Sequence, residues 1–277
     1  MPVDDETNRD KRALQSDLEI ASEIAIETGQ VVLSYFGTDR VDARSKGERD
    51  IVTAADVASE RLLLQRLSQA FPGDGVVGEE GTRTASAGTR RWLVDPLDGT
   101  VNYSHGIPIW CVSLSLFEGD HPVLGVIHDP IRGETFRGAA GLGAWCNDTP
   151  IHCSSLTDAA SAMVHLTIDF HEESLIPGLN DIRVIAPRVL RTRNFGSAAL
   201  ALTYVAAGRL DGMIHRLANA WDYGAGVLLV QEAGGFVTDF DSRAYTEGTK
   251  ALIAAATPVL QGTLLELLRE SDSPGLK

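Results

Sequence analysis

The chain is poor in cysteine. Three thiols, Cys111, Cys146 and Cys153, are spread over 277 residues with no Cys-x-x-Cys pair among them. So odd and sparse a set argues against a disulfide framework and against a cysteine-based zinc site. It fits reduced, buried thiols in a cytoplasmic protein. Long apolar runs are also lacking. None approaches the ~20 residues needed to cross a bilayer, and the polar start from Met1 to Arg12 has no secretory apolar core. Positive charge is in deficit: 24 Lys and Arg stand against 38 Asp and Glu, a net charge of −14. Such an excess repels nucleic acid and anionic membranes at long range, so neither is an expected partner. A phosphate substrate is not excluded, because a bound divalent cation inverts the field locally.

What is present is ordinary for a globular protein. Hydrophobic residues make up 44% and charged residues 22%, so disorder is expected only at the polar ends, 1–10 and 271–277. Apolar residues recur at helical spacing from Leu14 to Phe36, where Gly37 stops them. A charged loop through Lys46 and Asp50 leads to a second helix over 55–70, closed by Phe71-Pro72-Gly73. Val76-Val77 reads as a short strand running into Gly78-Glu79-Glu80, and Trp92-Leu93-Val94 as another running into Asp95. Strands are expected over 109–117, 123–127, 134–137 and 144–146, and the polar stretch 147–158 marks a boundary. On this reading residues 1–150 form an N-terminal half and 151–277 a C-terminal half. Strands over 162–168, 189–193, 211–215, 236–237 and 251–255 then alternate with helices over 197–207, 222–232 and 258–269. Composition and periodicity alone give a mixed α/β chain.

The densest chemical signal is Asp95-Pro96-Leu97-Asp98-Gly99-Thr100. Pro stiffens the turn and Gly permits an unusual backbone angle, so both carboxylates and the Leu97 carbonyl can aim at one point. Oxygen donors of this kind suit magnesium. Two carboxylates ~4 Å apart repel by roughly 4 kcal/mol at an effective dielectric of ~20, a cost that a divalent cation removes. Read alone, the hexapeptide is equally an Asp-rich turn. Three further segments place acids at the ends of elements: Glu79 after a strand, Asp56 in Asp50-Ile-Val-Thr53-Ala-Ala-Asp56, and Asp222 in Trp221-Asp222-Tyr-Gly-Ala-Gly226. Asp56 and Asp222 each also fit a plain helix-capping role. The small residues after Asp222 let another element approach closely.

Taken together, these segments resemble the inositol monophosphatase family of lithium-sensitive, metal-dependent phosphatases, in motif content and in motif order from Lys46 to Gly235. The resemblance implies the sugar-phosphatase fold, a layered α+β / α/β sandwich. Most metal ligands would come from the N-terminal half, and Asp222 with the substrate-side residues from the C-terminal half. It implies two or three Mg2+ ions per site and a homodimer. By that likeness Glu79 ligates one magnesium and orients the attacking water, Asp95 bridges two metals, and Leu97 gives its carbonyl to the first. Asp98 and Asp222 hold the second. Thr100 positions the water and Asp56 hydrogen-bonds the Thr100 hydroxyl. Lys46 resembles the family lysine ahead of Asp56, with a loop to Asp50 one residue shorter. The reaction implied is in-line phosphoryl transfer to water, which needs positioning and charge stabilisation more than covalent chemistry. Phosphate oxygens would meet the N–H groups of Gly99 and Thr100 where a helix opens.

The substrate is expected to be a small phosphorylated polyol or sugar, with inositol 1-phosphate first. Gly196-Ser197-Ala198 matches an element that contacts the hydroxyl-bearing ring, and Leu97, Asp98 and Asp222 border the same space. Inositol phosphatases of the family commonly carry Glu seven residues before the acid of the Trp-Asp element, where this chain has His215. A neutral imidazole still accepts a hydroxyl hydrogen bond; a protonated one does not. After Thr100 comes Val101-Asn102-Tyr103, unlike relatives acting on 3′-phosphoadenosine 5′-phosphate or histidinol phosphate, which often carry Lys there. Those two esters and fructose 1,6-bisphosphate remain alternatives. A regulatory binding protein on the same fold is the alternative of another class.

Overall fold

Trp92 and Val94 are buried in one apolar cluster and Leu93, between them, in another. Successive strand residues point to opposite sides of a sheet, so this strand must be covered on both faces. The computed structural model, which describes residues 3–38, 44–47, 50–79, 81–84, 86–168, 172–217 and 219–272, shows what covers it.

Helices α1 (Val3–Tyr35) and α2 (Ala54–Ala70) flank a hairpin of β1 (Arg44–Gly47) and β2 (Asp50–Val52) in sequence. They are followed by β3 (Gly75–Gly78), β4 (Arg83–Thr84), β5 (Arg90–Asp98), the short helix α3 (Thr100–Ser104), β6 (Cys111–Glu118), β7 (His121–Asp129), β8 (Glu134–Ala139), β9 (Ala144–Cys146) and β10 (Thr149–Ile151). These strands form an eight-stranded sheet in the order β10-β9-β8-β7-β6-β5-β3-β4. It is antiparallel except where β3 runs parallel to β5. Leu18, Ala21 and Ile24 of α1 and Leu63 and Leu67 of α2 cover one face.

The remaining chain supplies β11 (Met163–Leu166), α4 (Glu172–Ile185), β12 (Arg191–Arg193), α5 (Ala198–Ala206), β13 (Gly212–His215), α6 (Ala220–Glu232), β14 (Phe236–Thr238), β15 (Leu252–Ala255) and α7 (Pro258–Ser271). Its five strands form a mixed sheet in the order β12-β11-β13-β15-β14. Alternation again places two layers: Leu252 and Ala254 face α5 and α6, while Ile253 and Ala255 pack with Leu260 and Leu264 of α7. Helices α5 and α6 therefore lie between the two sheets, and their cluster takes in Phe117 and Phe136 of the first sheet with Met213 of the second. The result is a layered α+β sandwich, helix–sheet–helix–sheet–helix.

Three expectations are corrected. The first helix reaches back to Val3, beyond the polar start expected to fray. The charged stretch before Thr53 carries the β1–β2 hairpin. Helix α4 was not expected: the stretch between the strands at 162–168 and 189–193 was read without an element, and Pro177 and Gly178 stand inside it. Its buried Val184 and Ile185, with Ile182 half-buried beside them, supply a core-facing side that outweighs the unfavourable propensity of Pro177 and Gly178. Glu80 lies outside the described residues, as do the side chains of Lys46 and Asp50.

The small residues of α6 do what their size allows. A methyl on Gly224 would sit 2.6 Å from the Phe117 ring, and one on Gly226 2.5 Å from Leu202. From the opposite side, a methyl on Gly125 in β7 would meet the Ala225 carbonyl oxygen at 2.6 Å. Gly125→Ala is therefore expected to destabilise by about 1–3 kcal/mol through overpacking. At about 2–4 °C per kcal/mol for a chain of comparable size, a lowered thermal midpoint should report it. Gly262→Ala, where nothing lies within 4 Å of the added methyl, should leave the midpoint level or raise it.

Candidate active site

Residues three apart on a strand point to opposite faces, yet Asp95 and Asp98 are expected at one site. The register resolves this. Asp95 pairs with Ser113 and Asp98 with Cys111, so three steps along β5 match two along β6. The one-residue bulge restores parity and brings both carboxylates to the same side. Pro96 sits within the bulge, where a missing N–H is tolerated. For this reason β5 runs on to Asp98 instead of ending at Val94. Gly99 follows with φ 98°. A methyl there would lie 2.9 Å from the Ile109 carbonyl oxygen, so only glycine fits the exit into α3.

The parallel pairing of β3 with β5 sets Gly78 opposite Val94, and the Glu79 N–H donates to the Val94 carbonyl. This places Glu79 beside Asp95. Helix α2 begins at an N-cap Thr53, with Asp56 as its third residue: Asp56 Oδ2 accepts from the Thr53 N–H at 2.7 Å and Thr53 Oγ1 at 2.5 Å. The other oxygen, Oδ1, faces the Thr100 hydroxyl at 3.5 Å, and that hydroxyl lies 3.0 Å from the Leu97 carbonyl. Asp222 is also a third helical residue, its Oδ2 accepting from the Asn219 N–H at 2.7 Å. The structure thus gives Asp56 and Asp222 a capping role, and that role is compatible with the site role expected of each.

Asp98 is tied to the C-terminal half. Its Oδ2 accepts from Ser197 Oγ at 2.5 Å and from the Ala199 N–H at 2.8 Å, with the Cys111 thiol 3.8 Å away. Ser197, expected on the substrate side, commits its hydroxyl to Asp98 and caps α5 through the Leu200 N–H. Ala198 opens that helix. Gly196 precedes it with φ 66°, and a methyl on it would press on Asn102 at 3.0 Å. His215, the last residue of β13, is buried, with its ring edge-on to Tyr223 at 5.5 Å.

The electrostatics are those of crowded acids. Burial, then Glu79, Asp98 and Asp222, push the Asp95 carboxyl well above the usual carboxylate range, and the Leu97 N–H, donating at 2.8 Å, works against them. Burial also raises Asp98, opposed by the Ser197 hydroxyl and the N–H groups of Ala199 and Ala198. Among the described residues no three acidic, histidine or cysteine side chains close on one point as a finished metal cage. Asp95, Asp98 and Asp222 each hold one oxygen on a donor of the chain. The donor set still fits a hard divalent cation: the groups are carboxylates and a carbonyl, Asp95, Asp98 and Leu97 are buried with Glu79 and Asp222 half-buried beside them, and their shared charge is costly without a counter-ion.

The sequence model of the inositol monophosphatase family matches residues 13–273. The chain belongs to this family. With it the chain joins the phosphoric monoester hydrolases. It is 36% identical to an inositol-1-monophosphatase of Mesorhizobium japonicum over 260 residues, 91% of this chain and 96% of that relative. A Nus factor SuhB of Xylella fastidiosa is also 36% identical, over 78% of this chain and 79% of its own length. Among solved structures, the extragenic suppressor protein suhB of Bartonella henselae superposes with a TM-score of 0.88 at 32% identity, covering 94% of this chain and all of that one. An IMPase of Thermotoga maritima gives 0.85 at 30% identity, covering 92% and 98%.

The structural parts of two residues near the site were not read from the motifs. Asn102 Nδ2 donates to the carbonyls of Ile109 and Phe195, joining the two halves beside Gly196. His165, in β11, is buried and accepts the Phe195 N–H on Nε2 at 3.0 Å. No local pattern marks His165; only the crossing of β11 and the 194–199 segment does. Burial, with His215 second, lowers its pKa from 6.5 to about 3. An imidazole held neutral in the folded state leaves stability unaffected above pH 6.5 and costs stability as pH falls from there toward 3. His165→Gln is therefore expected to flatten the fall of the thermal midpoint between pH 6.5 and 4 relative to wild type; parallel curves would contradict a buried neutral His165.

Proposed function

We propose that this family member is a magnesium-dependent phosphatase that hydrolyses a small phosphate monoester, inositol 1-phosphate or a related polyol or sugar phosphate. The observation that carries this reading is the convergence of acids from both halves on the buried Asp95, which feels Glu79, Asp98 and Asp222 together. Magnesium supplies charge neutralisation at the transferring phosphoryl group and a lowered pKa for water. Glu79, Asp95, Asp98, Asp222 and the Leu97 carbonyl would hold it, two or three ions to a site. Glu79 and Thr100 orient the attacking water, and Asp56 Oδ1 fixes the Thr100 hydroxyl. The N–H groups of Gly99 and Thr100 bind phosphate oxygens. The working species is a homodimer by the same family likeness, and its sparse cysteines, free in the structure, suit a cytoplasmic one. Among the described residues no helix is long and apolar enough to cross a membrane.

The substrate's hydroxyl-bearing end faces His215 and the 196–198 segment. A neutral His215 accepts one ring hydroxyl where a carboxylate would accept more strongly. Lys46, whose side chain lies outside the described residues, is kept as a possible site residue by likeness alone.

Phosphate release tests the reading, with magnesium and with chelator, on inositol 1-phosphate, fructose 1,6-bisphosphate, histidinol phosphate, 3′-phosphoadenosine 5′-phosphate and glycerol 2-phosphate. The expected profile is led by inositol 1-phosphate and abolished by chelator. A lead by another ester would keep the chemistry and discard the inositol assignment. Asp95→Asn should lower kcat by several orders of magnitude with the fold intact by circular dichroism; near-wild-type turnover would remove the metal assignment. His215→Glu should raise kcat/KM for inositol 1-phosphate relative to the other esters, and an unchanged ranking would make His215 a packing residue.

The similarity to a Nus factor SuhB favours one second reading, a regulatory protein that acts by binding a partner. Absence of phosphate release from every ester, with magnesium present and the fold intact, would support it over the first.

A further inference from the structure

We propose that His165 is a positioning residue for Asp98: from β11 it fixes the 194–199 segment that donates to the Asp98 carboxylate, and thereby sets the affinity of the site for its divalent cation. The inference rests on the magnesium reading above and adds a residue that neither the motifs nor the family likeness assigns.

The chain of contacts is short. His165 Nε2 accepts the Phe195 N–H at 3.0 Å, and the two rings lie 5.5 Å apart at 33°. A nitrogen that accepts from a backbone N–H carries no proton, so the imidazole proton sits on Nδ1, which faces Thr167 Oγ1 at 3.4 Å. Burial keeps the ring neutral, so the accepting lone pair persists across working pH. One residue thus fixes both the backbone and the ring of Phe195. The Phe195 carbonyl is held from the other side by Asn102 Nδ2 at 2.7 Å, and Asn102 also donates to Ile109 in the N-terminal half. The Phe195 ring meets Tyr204 of α5 edge-on at 5.6 Å.

Two residues after Phe195, Ser197 Oγ reaches Asp98 Oδ2, and two further on the Ala199 N–H does the same. These donors decide which way the buried Asp98 carboxylate turns. Their direction depends on where Phe195 and Gly196 leave the chain, and Gly196 has a φ of 66° that fixes nothing by itself. Besides the local bond from the Gly196 N–H to Asn194 Oδ1 at 3.1 Å, the segment is anchored from outside on two sides, by Asn102 on the Phe195 carbonyl and by His165 of the second sheet on the Phe195 N–H. Outer groups that orient a metal ligand typically change metal affinity 10–100-fold when removed. His165 acts one contact further out, so the lower end of that range is expected.

The test uses the full chain without substrate. Mn2+ binding is followed by electron paramagnetic resonance for wild type, His165→Phe and His165→Gln, with thermal midpoints recorded metal-free. Phe keeps a ring and removes the acceptor; Gln places an acceptor near the position of Nε2. His165→Phe should weaken Mn2+ binding about 10-fold, with far-ultraviolet circular dichroism unchanged, and His165→Gln should recover most of that loss. Equal affinity in wild type and His165→Phe would overturn the proposal, as would equal impairment in the Phe and Gln variants, since the loss would then follow packing and not the hydrogen bond. If His165→Phe does not fold, Phe195→Ala loosens the same segment and should weaken Mn2+ binding similarly; unchanged affinity there overturns the proposal. Wild type that binds no Mn2+ would instead bring down the magnesium reading, and this inference with it.

Discussion

Four acids placed around one buried point repel one another, and much of the molecule is arranged to hold them there. Asp95 sits against Glu79, Asp98 and Asp222 in surroundings where a pair of like charges at ~4 Å costs roughly 4 kcal/mol at an effective dielectric of ~20. A chain left to local preference would turn such acids outward. Here the turn is prevented by backbone donors and by register: the bulge in β5, the parallel step from Val94 to Glu79, and the first turns of α2 and α6. Each device uses one carboxylate oxygen, or the strand itself, for structure and directs the group toward the common point.

The layered sandwich serves the same end. Helices α5 and α6 belong to the C-terminal half in sequence but pack against the first sheet as well as the second. Asp222 arrives at the site on α6, and the donors to Asp98 arrive at the start of α5. Close approach needs small residues, and Gly125, Gly224 and Gly226 provide it. A change in how α6 seats on β7 therefore reaches the acids directly, which is why packing between sheets and chemistry at the site are coupled.

Much of this was legible in the sequence, for identifiable reasons. Long periodic stretches such as Leu14–Tyr35 and alternating ones such as Leu114–Phe117 declare their elements through apolar spacing alone. The acids of 95–98 and 222 declare themselves by type and by small neighbours. Other features depend on contacts between distant residues. Parity between Asp95 and Asp98 requires Ser113 and Cys111 opposite them, and nothing within the hexapeptide specifies a bulge. Helix α4 is hidden by Pro177, whose local preference is overridden by a buried face. His165 looks like any strand residue until β11 is seen crossing Phe195. The bond from the Ser197 hydroxyl to Asp98 joins positions ninety-nine residues apart, so the motif around Ser197 alone could not show it.

The central claim is that the acidic cluster is completed by a divalent cation that relieves its repulsion. Thermal unfolding of wild type and Asp95→Asn at neutral pH, with chelator and with saturating Mg2+, tests it most directly. A ligand at about 100 times its Kd stabilises by ~2.7 kcal/mol, so Mg2+ should raise the wild-type midpoint by several degrees. Asp95→Asn should lose most of that rise while being no less stable than wild type in chelator, because one repelling charge has been removed. A wild-type midpoint indifferent to Mg2+, or a variant that keeps the full rise, would contradict the account.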